Sequence, residues 1–328
     1  MNKIRVGIIG AGYIGGVHAA ILARDERVQL TAVHDLDQER AMKLARAHEA
    51  QAGASPTEVI ERSDAVYITT PNTQHVSLAL AALVAGKHVF CEKPLATNIE
   101  DAQSLYQRVK QSTSQSVFQV GHNRRFAPVY ATLKQLISET HTPHSAHVKM
   151  NRGELLNPVW TGDPSVTGGF LYETPIHMFD MMRFLFGEVE SLHAIGSKHD
   201  YKEVDDFSVL LKFVNGFHAT LATAADASWL FPFERVEVFC HHATLVTREM
   251  ESLLVSTNLE GHFSGQSMQQ LPREEKWGYV QEDRAFIDAI VNHTGPLVSA
   301  FDGLMSVQLV HDVYASVESG KPVAVRVC

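Results

Sequence analysis

The stretch that leaves this 328-residue chain the least freedom is "GAGYIG", residues 10–15. It follows "IRVGII", an apolar, β-branched run that reads as a strand buried on both faces. It precedes "GGVHAAILARD", which reads as a helix. Each glycine has a mechanical duty. Gly10 permits the tight turn, Gly12 lets backbone approach a pyrophosphate, and Gly15 lets helix and strand pack closely. The helix start then offers free N–H groups and positive dipole to phosphate. Tyr13 and Ile14 complete the loop, and all five positions are candidate cofactor contacts. Asp35 lies twenty positions past Gly15, at the end of the next strand pattern, where a carboxylate can hold a ribose diol. A glycine turn beside a solvated acid, or a flavin site, are the rival readings. Asp35 and Asp37 would repel a 2′-phosphate, which favours NAD over NADP.

Strand and helix patterns alternate through the first third. "QLTAVHD", "AVYITTP", "HVFCEKP" and "SVFQVGHN" read as strands, separated by helical segments such as "QERAMKLARAH" and "NIEDAQSLYQRVKQ". Short connections between them predict an α/β fold, a doubly wound parallel sheet covered on both faces. After Gly121 the texture changes. One helix pattern and the strand-like "SAHVKMNR" precede "GGFLYETPIHMFD" and its helix, and then strands dominate. Asn215-Gly216 between two of them predicts a type I′ hairpin. The expectation is a Rossmann domain over 1–121 and an α+β domain with an open, mostly antiparallel sheet over 122–328. The second would bind substrate and associate with copies of itself into a dimer or tetramer.

Bulk properties narrow the function classes. The net charge of −9, with no long basic run, disfavours nucleic-acid and anionic-membrane partners. No apolar run approaches the ~18 residues of a membrane span. Three scattered cysteines, Cys91, Cys240 and Cys328, fit a reducing compartment better than a disulfide framework, so a cytoplasmic protein is expected. The eighteen histidines show no metal-ligand spacing, and no metal is expected.

"TTPNTQH" (69–75), "GKHVFCEKPLA" (86–96) and "GG…E-x-x-x-H-x-x-D" (168–180) occur in this order behind the glycine loop. With them the chain resembles the glucose–fructose oxidoreductase/inositol dehydrogenase (Gfo/Idh/MocA) family over essentially its whole length. The resemblance implies a nicotinamide-dependent enzyme acting on CH–OH groups of sugars, sugar derivatives or cyclitols. Lys93 matches the lysine that reaches substrate and nicotinamide ribose, and His177 the proton shuttle. Thr70, Asn72, His75 and Glu92 fall among positions that line the cofactor. Asn123 and Arg124 fall where members contact substrate, and Arg152 joins them as a candidate. Glu173 and Pro175 stand where the family usually has aspartate and glycine.

The same residues make chemical sense without the resemblance. A histidine accepts and releases a proton near neutral pH, which alcohol oxidation requires. With Thr174 as N-cap and Pro175 as the first helical residue, His177 would lie in the first turn, where the helix dipole favours the neutral base. Glu173 could orient one ring nitrogen, and Lys93 could stabilise an alkoxide. Several side chains carry two readings. Arg124 and Arg125 could hold an anionic substrate or serve structure, and Asp180 could be functional or structural. Trp160 could wall a sugar ring or belong to the core. Two rival functions are a dinucleotide-binding regulator without catalysis and a reductase of a non-carbohydrate substrate.

Overall fold

A computed structural model describes residues 3–112, 116–152, 159–199, 201–225, 227, 233–258 and 261–326. By contact, the chain divides into two compact units. The first comprises Met1–His122 with Tyr279–Leu304, and the second Asn123–Gly278 with Met305–Cys328.

The first unit holds six strands: β1 (Ile4–Ile9), β2 (Val28–His34), β3 (Gln51–Ala52), β4 (Ala65–Ile68), β5 (His88–Glu92) and β6 (Phe118–Gly121). They form one parallel sheet in the order β3-β2-β1-β4-β5-β6. The strand order reverses between β1 and β4, and ligands of such sheets bind at the carboxyl ends of the strands there. The connecting helices are α1 (Tyr13–Leu22), α2 (Gln38–Ala47), α3 (Pro56–Glu61), α4 (His75–Val84) and α5 (Ile99–Gln111). Val6, Ile8, Tyr67 and Phe90 are fully buried, as β-branched and aromatic residues of a two-faced sheet should be.

The second unit carries α6 (Pro128–Glu139), β7 (Pro143–Met150), α7 (Pro164–Thr167), α8 (Phe170–Glu173) and α9 (Ile176–Phe186). Six strands follow: β8 (Val189–Ser197), β9 (Asp206–Phe213), β10 (His218–Ala224), β11 (Glu234–Cys240), β12 (Ala243–Arg248) and β13 (Ser252–Thr257). β14 (His262–Ser267) and the one-turn helix α10 (Arg273–Lys276) come next. The chain then runs through α11 (Tyr279–Asn292), α12 (Ala300–Ser319) and β15 (Val323–Ala324). The nine-stranded sheet runs β14-β13-β12-β11-β7-β10-β9-β8-β15. Its pairs are antiparallel except β7 with β10, which is parallel. β9 alternates buried and exposed residues, the signature of a sheet covered on one face.

Two local expectations need correction. The hairpin between β9 and β10 exists, but only Gly216 takes positive φ, at 86°. A type I′ turn needs positive φ at both central residues. Here Gly216 N–H donates to the Phe213 carbonyl and Phe213 N–H to that of Phe217, a type I turn closed by a glycine bulge. Asn215 uses its amide on the Phe186 carbonyl and its oxygen on the Phe217 N–H, so its role is side-chain bonding rather than left-handed backbone. The second difference concerns 279–304, expected in the second domain. The apolar side of α11 puts Phe286 and Ile287 into the core that contains Val6, Ile8 and Ala19 of the first unit.

Candidate active site

The glycine loop is built as its composition requires. Gly10 has φ 105°, and a Cβ there would meet the Thr69 carbonyl oxygen at 2.5 Å. A Cβ on Gly15 would lie 2.0 Å from the Gly10 carbonyl oxygen. A Cβ on Gly12 would meet nothing within 4 Å, so its face is open. Gly12 caps α1 without a side-chain hydrogen bond. Tyr13 is 62% exposed and Ile14 half-buried beside this opening. Asp35 accepts the Ala11 N–H at 2.7 Å and the Asp37 N–H at 2.8 Å, which fixes its carboxylate against the loop. The expected role of Asp37 changes. Its carboxylate caps α2 through Glu39 and Arg40 N–H groups and pairs with the Arg40 guanidinium at 3.2 Å. Asp37 is thereby engaged with α2, and Asp35 remains the candidate for disfavouring a 2′-phosphate.

Thr70 and Asn72 follow β4 at the same edge. The Thr70 hydroxyl is buried with no hydrogen-bond partner among the described residues. His75 is fully buried, its ring between the Pro94 carbonyl at 2.7 Å and the Thr70 carbonyl at 2.9 Å. Burial pulls its pKa down, and a neutral ring donates to one of the two oxygens. It is a strut between two loops. An open glycine cradle, an orphaned hydroxyl and a fixed carboxylate fit a dinucleotide.

Lys93 follows β5, joined to Pro94 by a cis peptide bond, and its backbone N–H donates to Glu92 Oε2 at 3.1 Å. Glu92 Oε1 meets His18 Nε2 at 3.2 Å, and His18 Nδ1 meets Asp283 at 2.8 and 3.0 Å. Burial works against charge on His18, but Asp283 and then Glu92 outweigh it and push its pKa up to about 10. Burial alone would raise the Glu92 pKa; the His18 hydrogen bond and charge, helped by Lys93, lower it below the usual carboxylate range. Neither His18 nor Asp283 stood out in the sequence. They lie 265 positions apart, and nothing local marks them as partners.

In the second unit, α8 begins after Gly168 and Gly169, both at positive φ. A Cβ on Gly169 would strike Glu203 Oε2 at 2.7 Å. The cap of α9 lies one residue later than expected: Pro175 is the N-cap and Ile176 the first helical residue. The Thr174 hydroxyl does not cap, because it bonds Arg152 Nη1 at 2.9 Å. His177 still lies in the first turn and is 8% exposed. Glu173 ends α8, with Arg152 Nη1 3.7 Å from its carboxylate.

The other candidates sort by burial. Arg124 is buried, and Nε and Nη2 both reach Glu234 Oε2 at 2.9 Å. Tyr130 donates to the other oxygen of that carboxylate at 2.5 Å, and the Trp277 ring lies 5.6 Å from the guanidinium. Of the two readings of Arg124, this pairing favours the structural one. Arg125 grips Asp180 bidentately at 2.8 and 2.6 Å, which gives Asp180 a structural use as well. Asn123 donates to the Trp277 carbonyl at 2.9 Å. Trp160 is 37% exposed, so it is not a core residue. Cys91 and Cys240 are free thiols, and Cys328 lies outside the described residues. No helix among the described residues is long and apolar enough to cross a membrane.

Similarity to known proteins agrees with this geometry. The sequence profile of the oxidoreductase family with the NAD-binding Rossmann fold, GFO/IDH/MocA, matches residues 4–122. The profile of that family's C-terminal domain matches residues 130–246. The chain belongs to the Gfo/Idh/MocA oxidoreductase family, and its first unit is an NAD-binding Rossmann domain. It is 29% identical to myo-inositol 2-dehydrogenase of Thermotoga maritima over 98% of both chains. It is 27% identical to inositol 2-dehydrogenase of Rhizobium meliloti over 98% of this chain and 99% of that one. The fold matches that of levoglucosan dehydrogenase in complex with NADH and levoglucosan, with a TM-score of 0.90 and 22% identity over 99% of this chain and 100% of that one.

Two outcomes follow. Asp35→Ala should weaken NAD binding and narrow its advantage over NADP, measured by calorimetric titration with both cofactors; an unchanged ratio would remove Asp35 from cofactor selection. Arg124→Met should cost about 3–5 kcal/mol of stability by leaving Glu234 unpaired in the core. Chemical denaturation reads it directly, and a fully stable variant would contradict the structural assignment.

Proposed function

We propose that this chain interconverts a secondary alcohol and its ketone on an uncharged sugar or cyclitol, using NAD. The observation that carries the reading is the carboxyl edge of the first unit's sheet. An open glycine cradle there follows β1, Asp35 follows β2, and Lys93 follows β5. The activities named for the inositol dehydrogenase relatives support the same substrate class.

Bound NAD supplies the two-electron acceptor for the carbinol carbon. The Lys93 ammonium stabilises negative charge on the substrate oxygen, which is the largest kind of contribution in such sites. His177 takes the hydroxyl proton at Nε2, its Nδ1 being a buried atom. Glu173 contributes negative charge that favours the imidazolium once it forms. Substrate charge follows from the arginines. Arg124 is paired with Glu234, Arg125 with Asp180, and Arg152 stands beside Glu173. Arg124 and Arg125, the two arginines read as possible holders of an anionic group, each already pair with a carboxylate, so hydroxyl-rich neutral substrates suit the second unit better than acids or phosphates.

A panel of cyclitols and sugars, each with its acid and phosphate derivatives, tests the reading through NADH formation. Neutral polyols should turn over best, and activity confined to anionic members would overturn the charge argument. On the best substrate, His177→Ala should lower kcat by about 10²–10⁴. Lys93→Ala should lower it by about 10²–10³. If both variants keep native turnover, the assigned roles are wrong.

A further inference from the structure

We propose that His18 is a positioning residue: clasped between Asp283 and Glu92, it holds the Glu92 carboxylate in the orientation that fixes the backbone of Lys93. The contacts form one continuous chain within the first unit. Asp283 accepts from His18 Nδ1, Glu92 Oε1 accepts from His18 Nε2, and Glu92 Oε2 accepts from the Lys93 N–H. Three segments distant in sequence meet there: α1, the end of β5, and α11.

A packing role alone does not account for this arrangement. His18 has no exposed surface and sits among rings, with Phe90 at 4.9 Å, Tyr67 at 5.3 Å and Tyr279 at 5.9 Å. A phenyl or aliphatic side chain would suit such a nest. An imidazole facing two buried carboxylates is instead costly to desolvate, unless every charge finds its partner. Here each ring nitrogen has one. The ionisable groups facing the ring are Asp283 from α11, Glu92 from β5 and Tyr67 from β4, with Tyr279 at its edge; Lys93 and His75 act on it through Glu92.

The clasp also leaves Glu92 little room to turn. A Cβ on Gly121 of β6 would lie 2.9 Å from Glu92 Cδ, so the neighbouring backbone closes against the carboxyl group. His18 stands three residues past Gly15 on α1, the helix that opens at the phosphate loop. One imidazole therefore ties the helix that would carry the cofactor phosphates to the turn that presents Lys93. Of this chain of contacts, only the turnover measurement below rests on the proposed dehydrogenase function.

The test uses the full chain without cofactor. Amide hydrogen exchange at Lys93 is compared in the native protein, in His18→Gln and in Asp283→Asn, with the Val6 and Ile8 amides of β1 as internal reference. Asp283→Asn keeps the shape of the clasp while removing charge, so it reads the interaction even if His18→Gln folds poorly. The expected result is exchange at Lys93 faster by about tenfold in either variant, the equivalent of one lost hydrogen bond, with β1 protection retained. At saturating NAD, kcat should fall on the order of 10- to 100-fold, as for a misplaced catalytic group. Unchanged Lys93 exchange in both variants overturns the proposal, whatever happens to turnover. Equal acceleration at Lys93 and throughout β1 overturns it too, because it would show loss of general stability.

Discussion

The structure depends first on an absence of side chains. Where β1 turns into α1, the Gly10 carbonyl lies so close to Gly15 that a Cβ would come within 2.0 Å of it. The Thr69 hydroxyl, just past β4, donates to the same carbonyl at 2.7 Å. Strand, helix and neighbouring strand thus meet with room for backbone only. That closeness aims the α1 N-terminus at the sheet edge, sets Ala11 N–H on Asp35, and leaves Gly12 open. Phosphate binding at this edge is a consequence of packing as much as of charge.

Charge is handled differently in the second unit. Arginines there are committed to carboxylates: buried Arg124 to Glu234, with Tyr130 on the same group, and half-buried Arg125 to Asp180. Such pairs contribute little net stability over an apolar core, but losing one partner is costly, so they favour a single arrangement. The Arg125–Asp180 pair anchors α9 three residues beyond His177, on the same face of that helix. The proton-transfer role proposed for His177 would gain from a helix held in this way, since a reacting group must be placed within a fraction of an ångström.

The residues differ in how much of this they announce. The glycine loop and Asp35 are legible because their demands are local: turn, close approach and a fixed interval to the next strand end. The alternating strands of the second unit are legible for the same reason, since one covered face imposes a period of two. What stays hidden depends on distant partners. Arg124 reads equally as substrate anchor or structural cation until Glu234, 110 positions away, appears beside it. His18 looks like any helical histidine until Asp283 closes on it. Thr174 resembles an N-cap in every local respect, and only Arg152 shows why its hydroxyl is engaged elsewhere. The apolar stripe of α11 says that it must be buried, but not against which sheet. Roles for Lys93 and His177 come from chemistry and resemblance, and they stand as the proposal above.

The proposed direct transfer of hydrogen from a carbinol carbon to NAD is open to isotopic labelling. A polyol substrate carrying deuterium at the reacting carbon is oxidised in ordinary water, and the reduced cofactor is weighed by mass spectrometry. One deuterium in each NADH formed is the expected result. NADH free of deuterium, with the label released to water, would contradict it.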